Sequence, residues 1–82
     1  MGWDNWRVSL TNAMELRGES WKDVVSHTLT EQELDEPWGN YGMGAAFTLW
    51  TTNTVYFPMQ YDSQYWAGSA PRYPDGKPTK YQ

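Results

Sequence analysis

Aromatic side chains are the residues of this chain best suited to recognition chemistry. Six Trp, six Tyr and two Phe make up 17% of its 82 residues. Large rings bury roughly 150–250 Å² each when they pack, and Trp, Tyr and Arg are enriched where proteins bind one another. So short a chain cannot hide all of these rings in a core, so we expect some of them to form a contact surface. The residues that we assign to it are Trp50, Tyr56, Tyr65, Trp66 and Arg72.

Four carboxylates stand close together at Glu31, Glu33, Asp35 and Glu36. The helix dipole favours acids in a first helical turn, and neighbouring positions on a short helix point in different directions. A solvated helix end is therefore the first interpretation of this cluster. A charged contact patch that steers a partner is the second, and a metal site or a glycosidase-like acid pair is the third.

Catalytic and cofactor chemistry finds little support in the residue types. The single histidine, His27, lies beside the apolar face of a predicted helix, whereas a catalytic nucleophile needs a base within hydrogen-bond reach. The chain has no cysteine, so disulfides are excluded and the usual zinc ligand sets are lacking. The glycines between positions 39 and 44 lack the Lys and Ser or Thr of a phosphate-binding loop. We expect no catalytic residue, no metal and no cofactor.

Charge and hydropathy narrow the classes of partner. The net charge is −4: residues 1–40 carry eight acids and three bases, net −5, and residues 41–82 carry two acids and three bases, net +1. Neither half offers the basic face that a phosphate backbone requires, so nucleic acid is a disfavoured partner. No apolar run reaches the roughly 18 residues that cross a membrane, and no basic and apolar stretch precedes a cleavage site, so we expect the protein neither to span a membrane nor to be secreted. The absence of cysteine fits a reducing cytoplasm, which is the expected location.

The first element that positions these residues is a predicted amphipathic helix from Trp3 to Arg17. Asp4 or Asn5 is placed to cap its start, and Gly18 is placed to end it in the left-handed region. Apolar positions recur at helical spacing along one face, which comprises Trp6, Leu10, Ala13, Met14 and Arg17. This face is expected to meet the core.

A second predicted helix opens at Ser20, because Ser20 and Asp23 have the spacing of a capping box. Its apolar face comprises Trp21, Val24, Val25, Thr28 and Leu29. The short link between the two helices predicts a tight helical corner. Thr30 and Glu33 repeat the capping pattern, so a short third helix is predicted over Glu31 to Asp35.

Alternation of apolar and polar residues indicates β structure in the C-terminal half. The predicted strands run from Ala46 to Thr52, from Thr54 to Phe57 and from Gln64 to Ala70, with turns at Thr52-Asn53 and Tyr61-Asp62-Ser63. Pro58 is expected to end the second strand or to mark a sheet edge. These three strands predict an antiparallel meander on which the helices pack.

Parity along the strands assigns their faces. The predicted inner face comprises Phe47, Leu49, Val55 and Phe57. Trp50 and Tyr56 have the opposite parity, so we expect them to point outward and to form an exposed apolar patch, which usually marks a contact site. The alternative is that a Pro-rich tail folds back and covers them.

These elements predict a single α+β domain over residues 1–82. Two N-terminal helices and a short third one are expected to pack on a C-terminal three-stranded antiparallel β-meander. The predicted parts are a helical acidic half (1–38), a Gly-rich connector (39–45), the β-meander (46–70) and a Pro-rich tail (71–82).

Three stretches of the chain carry a resemblance to known proteins. They are Trp6-x3-Leu10-x2-Ala13-Met14-x2-Arg17-Gly18-Glu19-Ser20-Trp21-x-Asp23-Val24, then Glu33-Leu34-Asp35, then Val55-Tyr56-Phe57-Pro58. The chain resembles in style the small accessory proteins encoded by bacteriophages, which are short, acidic, aromatic-rich and free of cysteine. Many of those neutralise host machinery by binding it, as anti-CRISPR and other anti-defence inhibitors do. By analogy the resemblance implies a non-enzymatic inhibitor of a host bacterial protein or complex, acting in the cytoplasm of the infected cell.

Other classes of function remain open. Stacked Trp and Tyr rings also suit a small molecule, a nucleotide or a sugar. Clustered carboxylates could mimic DNA phosphates, and single-stranded nucleic acid could stack on the rings. A virion component or a homo-oligomer would bury the aromatic face against further copies. The inhibitor that binds a host protein is the favoured prediction.

Overall fold

The computed structural model describes residues 5–36, 46–61 and 64–79. Its elements are α1 (Trp6–Leu16), β1 (Val24–His27), α2 (Glu31–Asp35), β2 (Leu49–Thr51), β3 (Thr54–Tyr61) and β4 (Gln64–Pro71), with a 3₁₀ turn at Trp21–Asp23. The strands form one antiparallel sheet in the order β1-β2-β3-β4. The predicted α+β class is confirmed, but the sheet has four strands in place of the predicted three. The predicted connector at 39–45 lies outside the described residues.

Helix α1 begins at Trp6 rather than at Trp3, because Asn5 is its cap. The backbone of Asn5 is extended, and its side chain accepts a hydrogen bond from the Val8 N–H at 2.9 Å. Gly18 follows the helix at φ 73°, in the left-handed region that favours glycine. The centre of the predicted apolar face is confirmed by three fully buried residues, Trp6, Leu10 and Met14.

The predicted second helix is wrong, because the chain makes a single 3₁₀ turn and then enters strand β1. The capping box is present, with Ser20 and Asp23 bonded through both side chains, but such a box stabilises only a first turn. Val24 and Val25 follow it, and β-branched residues favour a strand over a helix. Strand β1 then pairs with β2. A helix-to-strand turn therefore replaces the predicted helical corner.

The short helix α2 is confirmed at its predicted residues. Thr30 Oγ1 accepts from the Glu33 N–H at 3.0 Å, and Glu33 Oε1 accepts from the Thr30 N–H at 2.8 Å. This reciprocal pair is a complete capping box. Leu34 anchors the helix, since it is fully buried.

The register of the sheet reverses the predicted faces of β3. Leu49 lies opposite Tyr56, and Trp50 lies opposite Val55. Residues directly opposite each other in an antiparallel pair share a face, and Leu49 and Tyr56 are both fully buried. Tyr56 therefore points inward, while Val55 and Phe57 lie on the outer side with Trp50. The predicted orientation of all three β3 residues is wrong.

The short turn after β2 determines this register. Thr52-Asn53 is a two-residue connection between β2 and β3, so Thr51 faces Thr54 and every later pair follows. A shift by one residue would move each side chain of β3 to the other face. The hairpin thus places Tyr56 in the core and leaves an apolar outer side.

The core lies between the inner face of the sheet and the two helices. Its buried members are Trp6, Leu10, Met14, Leu29, Leu34, Phe47, Leu49 and Tyr56. Trp6 meets Phe47 edge to face, with ring centroids 4.7 Å apart, a preferred arrangement of aromatic pairs. The inner face is therefore occupied by packing.

Strand β3 continues through Pro58 to Tyr61, so Pro58 does not end it. Pro58 lies opposite Ala67 of β4, and the Ala67 N–H donates to Ser9 Oγ of α1 at 3.1 Å rather than to β3. The two residues form a non-hydrogen-bonded pair of the ladder, which needs no N–H from proline. The pairing of β2 with β3 reaches only Tyr56. Pro58 therefore stands at a local edge, which was the other predicted role.

The residues after β4 agree with the predicted tail. Residues 72–79 form no helix or strand and are exposed. Gly76 has a φ of 74°, and the Lys77 N–H donates to Asp75 Oδ1 at 2.9 Å. The Pro-Asp-Gly turn is held by this aspartate bond.

Candidate functional site

The side of the sheet that faces away from the core is apolar. Its residues, which we call the outer sheet face, are Trp50, Val55, Phe57, Met59, Trp66 and Ala70. Each of them is half-buried, whereas their inward neighbours Leu49 and Tyr56 are fully buried. The buried core places α1 and α2 on the inner side. The outer sheet face is therefore not the surface on which either described helix packs.

Gly68 shapes the middle of the outer sheet face. It lies opposite Phe57, and a Cβ atom at this position would stand 2.6 Å from Met59 Cγ and 2.9 Å from Phe57 Cε1. The Phe57 and Met59 side chains therefore occupy the space above the glycine. They fill the centre of the face, between Trp50 toward one end and Trp66 toward the other.

The outer sheet face is uncharged, and the charged residue Arg72 lies at its border. None of the six side chains of the outer sheet face is charged. Arg72 follows β4, where its backbone N–H donates to the Asn53 carbonyl and its Nη1 donates to the Thr51 carbonyl, both at 2.9 Å. The guanidinium also lies 5.5 Å from the Tyr73 ring centroid. Arg72 is thus exposed but held beside the β2–β3 turn.

A groove of about 300 Å³, which we call the α1–β4 groove, runs between helix α1 and strand β4. Its lining comprises Val8, Ser9, Asn12, Ala13 and Leu16 from the helix, and Tyr65, Trp66 and Ala67 from the strand. Leu16 is 90% exposed and Val8 is 43% exposed. The groove is therefore bordered by two exposed aliphatic side chains, of which Leu16 is covered least.

The structure separates the four aromatic residues that the sequence predicts as one patch. Trp50 and Trp66 lie on the outer sheet face, whereas Tyr56 is fully buried. Tyr65 has the opposite parity to Trp66, packs against the core and lines the α1–β4 groove. The predicted patch is wrong as a set, and two other side chains of β3, Phe57 and Met59, complete it instead.

The acidic cluster lies on the helical side of the molecule. Glu31 Oε1 and Asp35 Oδ1 accept from Arg7 of α1 at 2.7 and 2.6 Å, and Glu33 belongs to the capping box of α2. The hydrogen bond from Arg7 holds the pKa of Asp35 below its usual range. Glu36 is half-buried. Glu31 and Asp35 therefore join α2 to α1, on the side of the sheet opposite the outer sheet face.

A polar cluster centred on Glu19 has no counterpart in the sequence-based prediction. Glu19 Oε1 accepts from the Tyr56 hydroxyl at 2.6 Å, and Oε2 accepts from the Thr51 hydroxyl at 2.8 Å. Burial raises the pKa of Glu19, but the hydrogen bonds from Tyr56, Thr51 and Thr54 outweigh it and hold that pKa below its usual range. Burial, together with the bond to Glu19, raises the pKa of Tyr56. At neutral pH Glu19 is therefore ionised and Tyr56 is protonated, so the cluster stabilises the fold through hydrogen bonds.

His27 is half-buried in β1, with its ring 6.4 Å from the Trp21 ring in an edge-to-face contact. Its Nδ1 atom is buried and has no hydrogen-bond partner among the described residues. Within the same residues, no group of three or more His, Cys, Asp or Glu could hold a metal ion. His27 contributes packing to the edge of the sheet.

Comparison of the chain with protein-family models, with curated proteins and with solved structures finds no match. Among the described residues, no helix has the length and apolar character required to cross a membrane. We therefore infer function from the outer sheet face and the α1–β4 groove.

Proposed function

We propose that this protein binds a host bacterial protein or complex through its outer sheet face and inhibits it, without catalysis of its own. The observation that carries the proposal is the run of Trp50, Phe57, Met59 and Trp66 across three neighbouring strands, on the side of the sheet away from the core. Aromatic residues and Met are enriched in the buried centres of protein interfaces. Such a run supplies a ready anchor for a partner.

The form of this surface favours a protein over a small molecule. Small-molecule sites are concave and bury most of their ligand. On the outer sheet face, Phe57 and Met59 fill the space above Gly68, so the centre of the face offers contact area rather than a cavity. Met also adapts its shape to the surface that it meets.

The charge at this surface disfavours nucleic acid. Single strands stack on aromatic rings, but they also require a basic groove that follows the phosphates. The outer sheet face has no cation of its own, and Arg72 at its border is bonded to the Thr51 carbonyl. A protein partner with an apolar contact surface does not require a basic groove.

The inhibitory role follows from the resemblance to small phage-encoded accessory proteins. A chain of 82 residues inhibits most simply by occupying a surface that its target needs. The cytoplasm of the infected host is the matching location. Glu31 and Asp35 of α2 are bound to Arg7 on the helical side, which leaves the outer sheet face to make the contact.

Affinity capture from nuclease-treated bacterial lysate, followed by mass spectrometry, tests the proposal. We expect Trp50→Ala to weaken capture at least about tenfold, because an aromatic anchor that a partner buries contributes about 2 kcal/mol or more. Tyr73→Ala is the matched control, since it removes a ring that is 62% exposed and outside the face. The captured protein is then purified and its activity is measured with and without this chain.

Two results would contradict the proposed function. The first is a folded Trp50→Ala variant that captures the target as well as the wild type does. The second is a purified target whose activity the wild-type chain leaves unchanged at saturation.

A further inference from the structure

We propose that the α1–β4 groove binds a second copy of this chain, so that the protein forms a two-fold symmetric dimer. The groove lies along α1 and the open side of β4, and Trp66 is the one residue that it shares with the outer sheet face as defined above. The dimer goes beyond the proposed function, and it would leave Trp50, Phe57 and Met59 open to the host target.

Three side chains along one flank of α1 form a row whose chemical order is the same from either end of the helix. Val8, Asn12 and Leu16 follow one another at intervals of four residues, which places them in a row along the helix. All three line the α1–β4 groove. The row consists of an aliphatic residue, an amide and an aliphatic residue.

Such a row is complementary to itself when two copies meet antiparallel across a two-fold axis. With the axis at Asn12, Val8 of each copy faces Leu16 of the other. The Asn12 amide can both donate and accept, and it makes no hydrogen bond within the described residues. Two such amides at the axis would bond to each other, each through its NH₂ to the other's oxygen.

Leu16 and the groove also fit each other as a projection and a recess. Leu16 is 90% exposed and borders a recess whose other wall includes Tyr65 and Ala67. In the dimer, Leu16 of the second copy enters this recess, and the exchange is mutual. Because projection and recess lie side by side on one surface, the two-fold contact closes on itself and leaves no open end.

The distribution of charge allows this contact in spite of the net charge of −4. No side chain that lines the groove is charged. Glu31 and Asp35 of α2 are bound by Arg7, and a separation of five residues places Arg7 on a different flank of α1 from Asn12. Glu15 is an exposed acid of α1 three residues after Asn12, and an axis at Asn12 places it opposite Ser9 of the other copy rather than opposite a second acid.

The size of the surface sets the strength of the contact. Helix α1 has 11 residues, so it is only about 16 Å long. Two such helices with their β4 walls cover less than the roughly 1,200–2,000 Å² of a standard stable interface. We therefore expect a dimer whose population changes with protein concentration.

Sedimentation equilibrium of the full chain over a concentration series tests the proposal. The average mass should rise from 9.6 kDa toward twice that value. Leu16→Glu would bury a charge in the partner's recess, so we expect self-association to weaken at least about tenfold. Val25→Glu is the matched control, because Val25 is also an exposed aliphatic residue, at 60%, but lies in β1. It should associate as the wild type does.

A cysteine at the axis provides a second readout, since the chain has none of its own. Thiols can be joined when their Cα atoms lie within about 7 Å, as they would at a two-fold axis through position 12. We expect Asn12→Cys to form a disulfide-linked dimer under mild oxidation at least about tenfold faster than Val25→Cys. The second variant measures the rate of random encounters.

Three results would overturn the proposal. One is a wild type that stays monomeric at every concentration. Another is a dimer that Leu16→Glu leaves intact and in which Asn12→Cys links no faster than Val25→Cys, because the interface would then lie elsewhere. The third is a monomer that binds indole in the groove, seen as shifts of the Ala13 and Ala67 amide signals in NMR spectra. That result would assign the groove to a small ligand.

Discussion

The Tyr56 hydroxyl donates a hydrogen bond of 2.6 Å to Oε1 of Glu19, which lies 37 positions earlier in the chain. Glu19 belongs to the link between α1 and β1, and Tyr56 lies in the middle of β3, so this bond joins the helical half to the sheet. The Thr51 hydroxyl donates to the other carboxylate oxygen, and its oxygen accepts from the Thr54 N–H. One carboxylate therefore holds both the centre of β3 and the turn that sets its register.

We expect Tyr56→Phe to lower the free energy of unfolding by about 1–3 kcal/mol, because the variant deprives a partly buried carboxylate of a donor. Urea unfolding at neutral pH measures the change. Tyr73→Phe is the control, since its ring is exposed. A double-mutant cycle with Glu19→Gln should give a clear coupling energy, and strictly additive effects would mean that the bond contributes nothing.

Lowering the pH should reduce the free energy of unfolding, because Glu19 becomes protonated. Its folded-state pKa lies below the usual value of 4.5, so the unfolded state binds a proton more readily than the folded state does. The stabilisation is therefore complete above about pH 4.5 and is lost as the pH falls through the folded-state pKa. Urea midpoints near neutral pH and near pH 3 should differ less in Glu19→Gln than in the wild type. Glu15→Gln, which changes an exposed acid of α1, should keep the wild-type difference.

Salt should weaken the tie between α1 and α2. The side chains of Arg7 and Asp35 are 37% and 56% exposed, and mobile ions screen pairs of this kind. We expect Arg7→Gln to lower the melting temperature at low ionic strength and to have a smaller effect in molar salt. Lys22→Gln, at an exposed lysine, is the control. An effect that persists in molar salt would instead indicate the contact between the guanidinium and the Trp21 ring, which are 5.6 Å apart.

Gly68→Ala should reshape the outer sheet face and leave the core in place. The added Cβ would stand 2.6 Å from Met59 Cγ and 2.9 Å from Phe57 Cε1, so both side chains must move. We expect a cost of about 1–3 kcal/mol, a shifted Met59 methyl signal in NMR spectra and weaker capture of the host target. Gly76→Ala is the control for an added methyl group away from the face: its φ of 74° makes alanine strained there, but its Cβ would meet nothing within 4 Å, so the Met59 signal and capture should not change. An unshifted Met59 signal in Gly68→Ala would contradict this packing.

Local signals predict the ends of the helices best. Asn5 caps α1, Gly18 follows it in the left-handed region, and Thr30 begins α2, because each of these roles depends on a few neighbouring atoms. Ser20 also forms its capping box, but the structure beyond it depends on a distant strand. Val24 becomes part of a strand through pairing with β2, which a local helical pattern does not reveal.

The orientation of the β3 side chains could be predicted from the sequence, whereas the hydrogen-bonding role of Glu19 could not. The two-residue turn at Thr52-Asn53 places Tyr56 on the inner face, but apolar alternation points the other way. That signal fails because Val55 and Phe57 are apolar on the outer side, so both faces of the strand are apolar. Glu19 is one acid among several in the sequence, and its role arises only when folding brings Tyr56 to it.

Pro58 and Ser9 reduce the number of free backbone N–H groups at the open edges of β3 and β4. The Ala67 N–H, on the open side of β4, already donates to Ser9, and Pro58 offers no N–H where β3 extends past β2. A strand from another molecule would find no donor at either position. Apolar segments with open strand edges can stack into cross-β fibrils. The Ser9 hydroxyl and the proline ring therefore disfavour edge-to-edge pairing of strands at these two positions of the sheet.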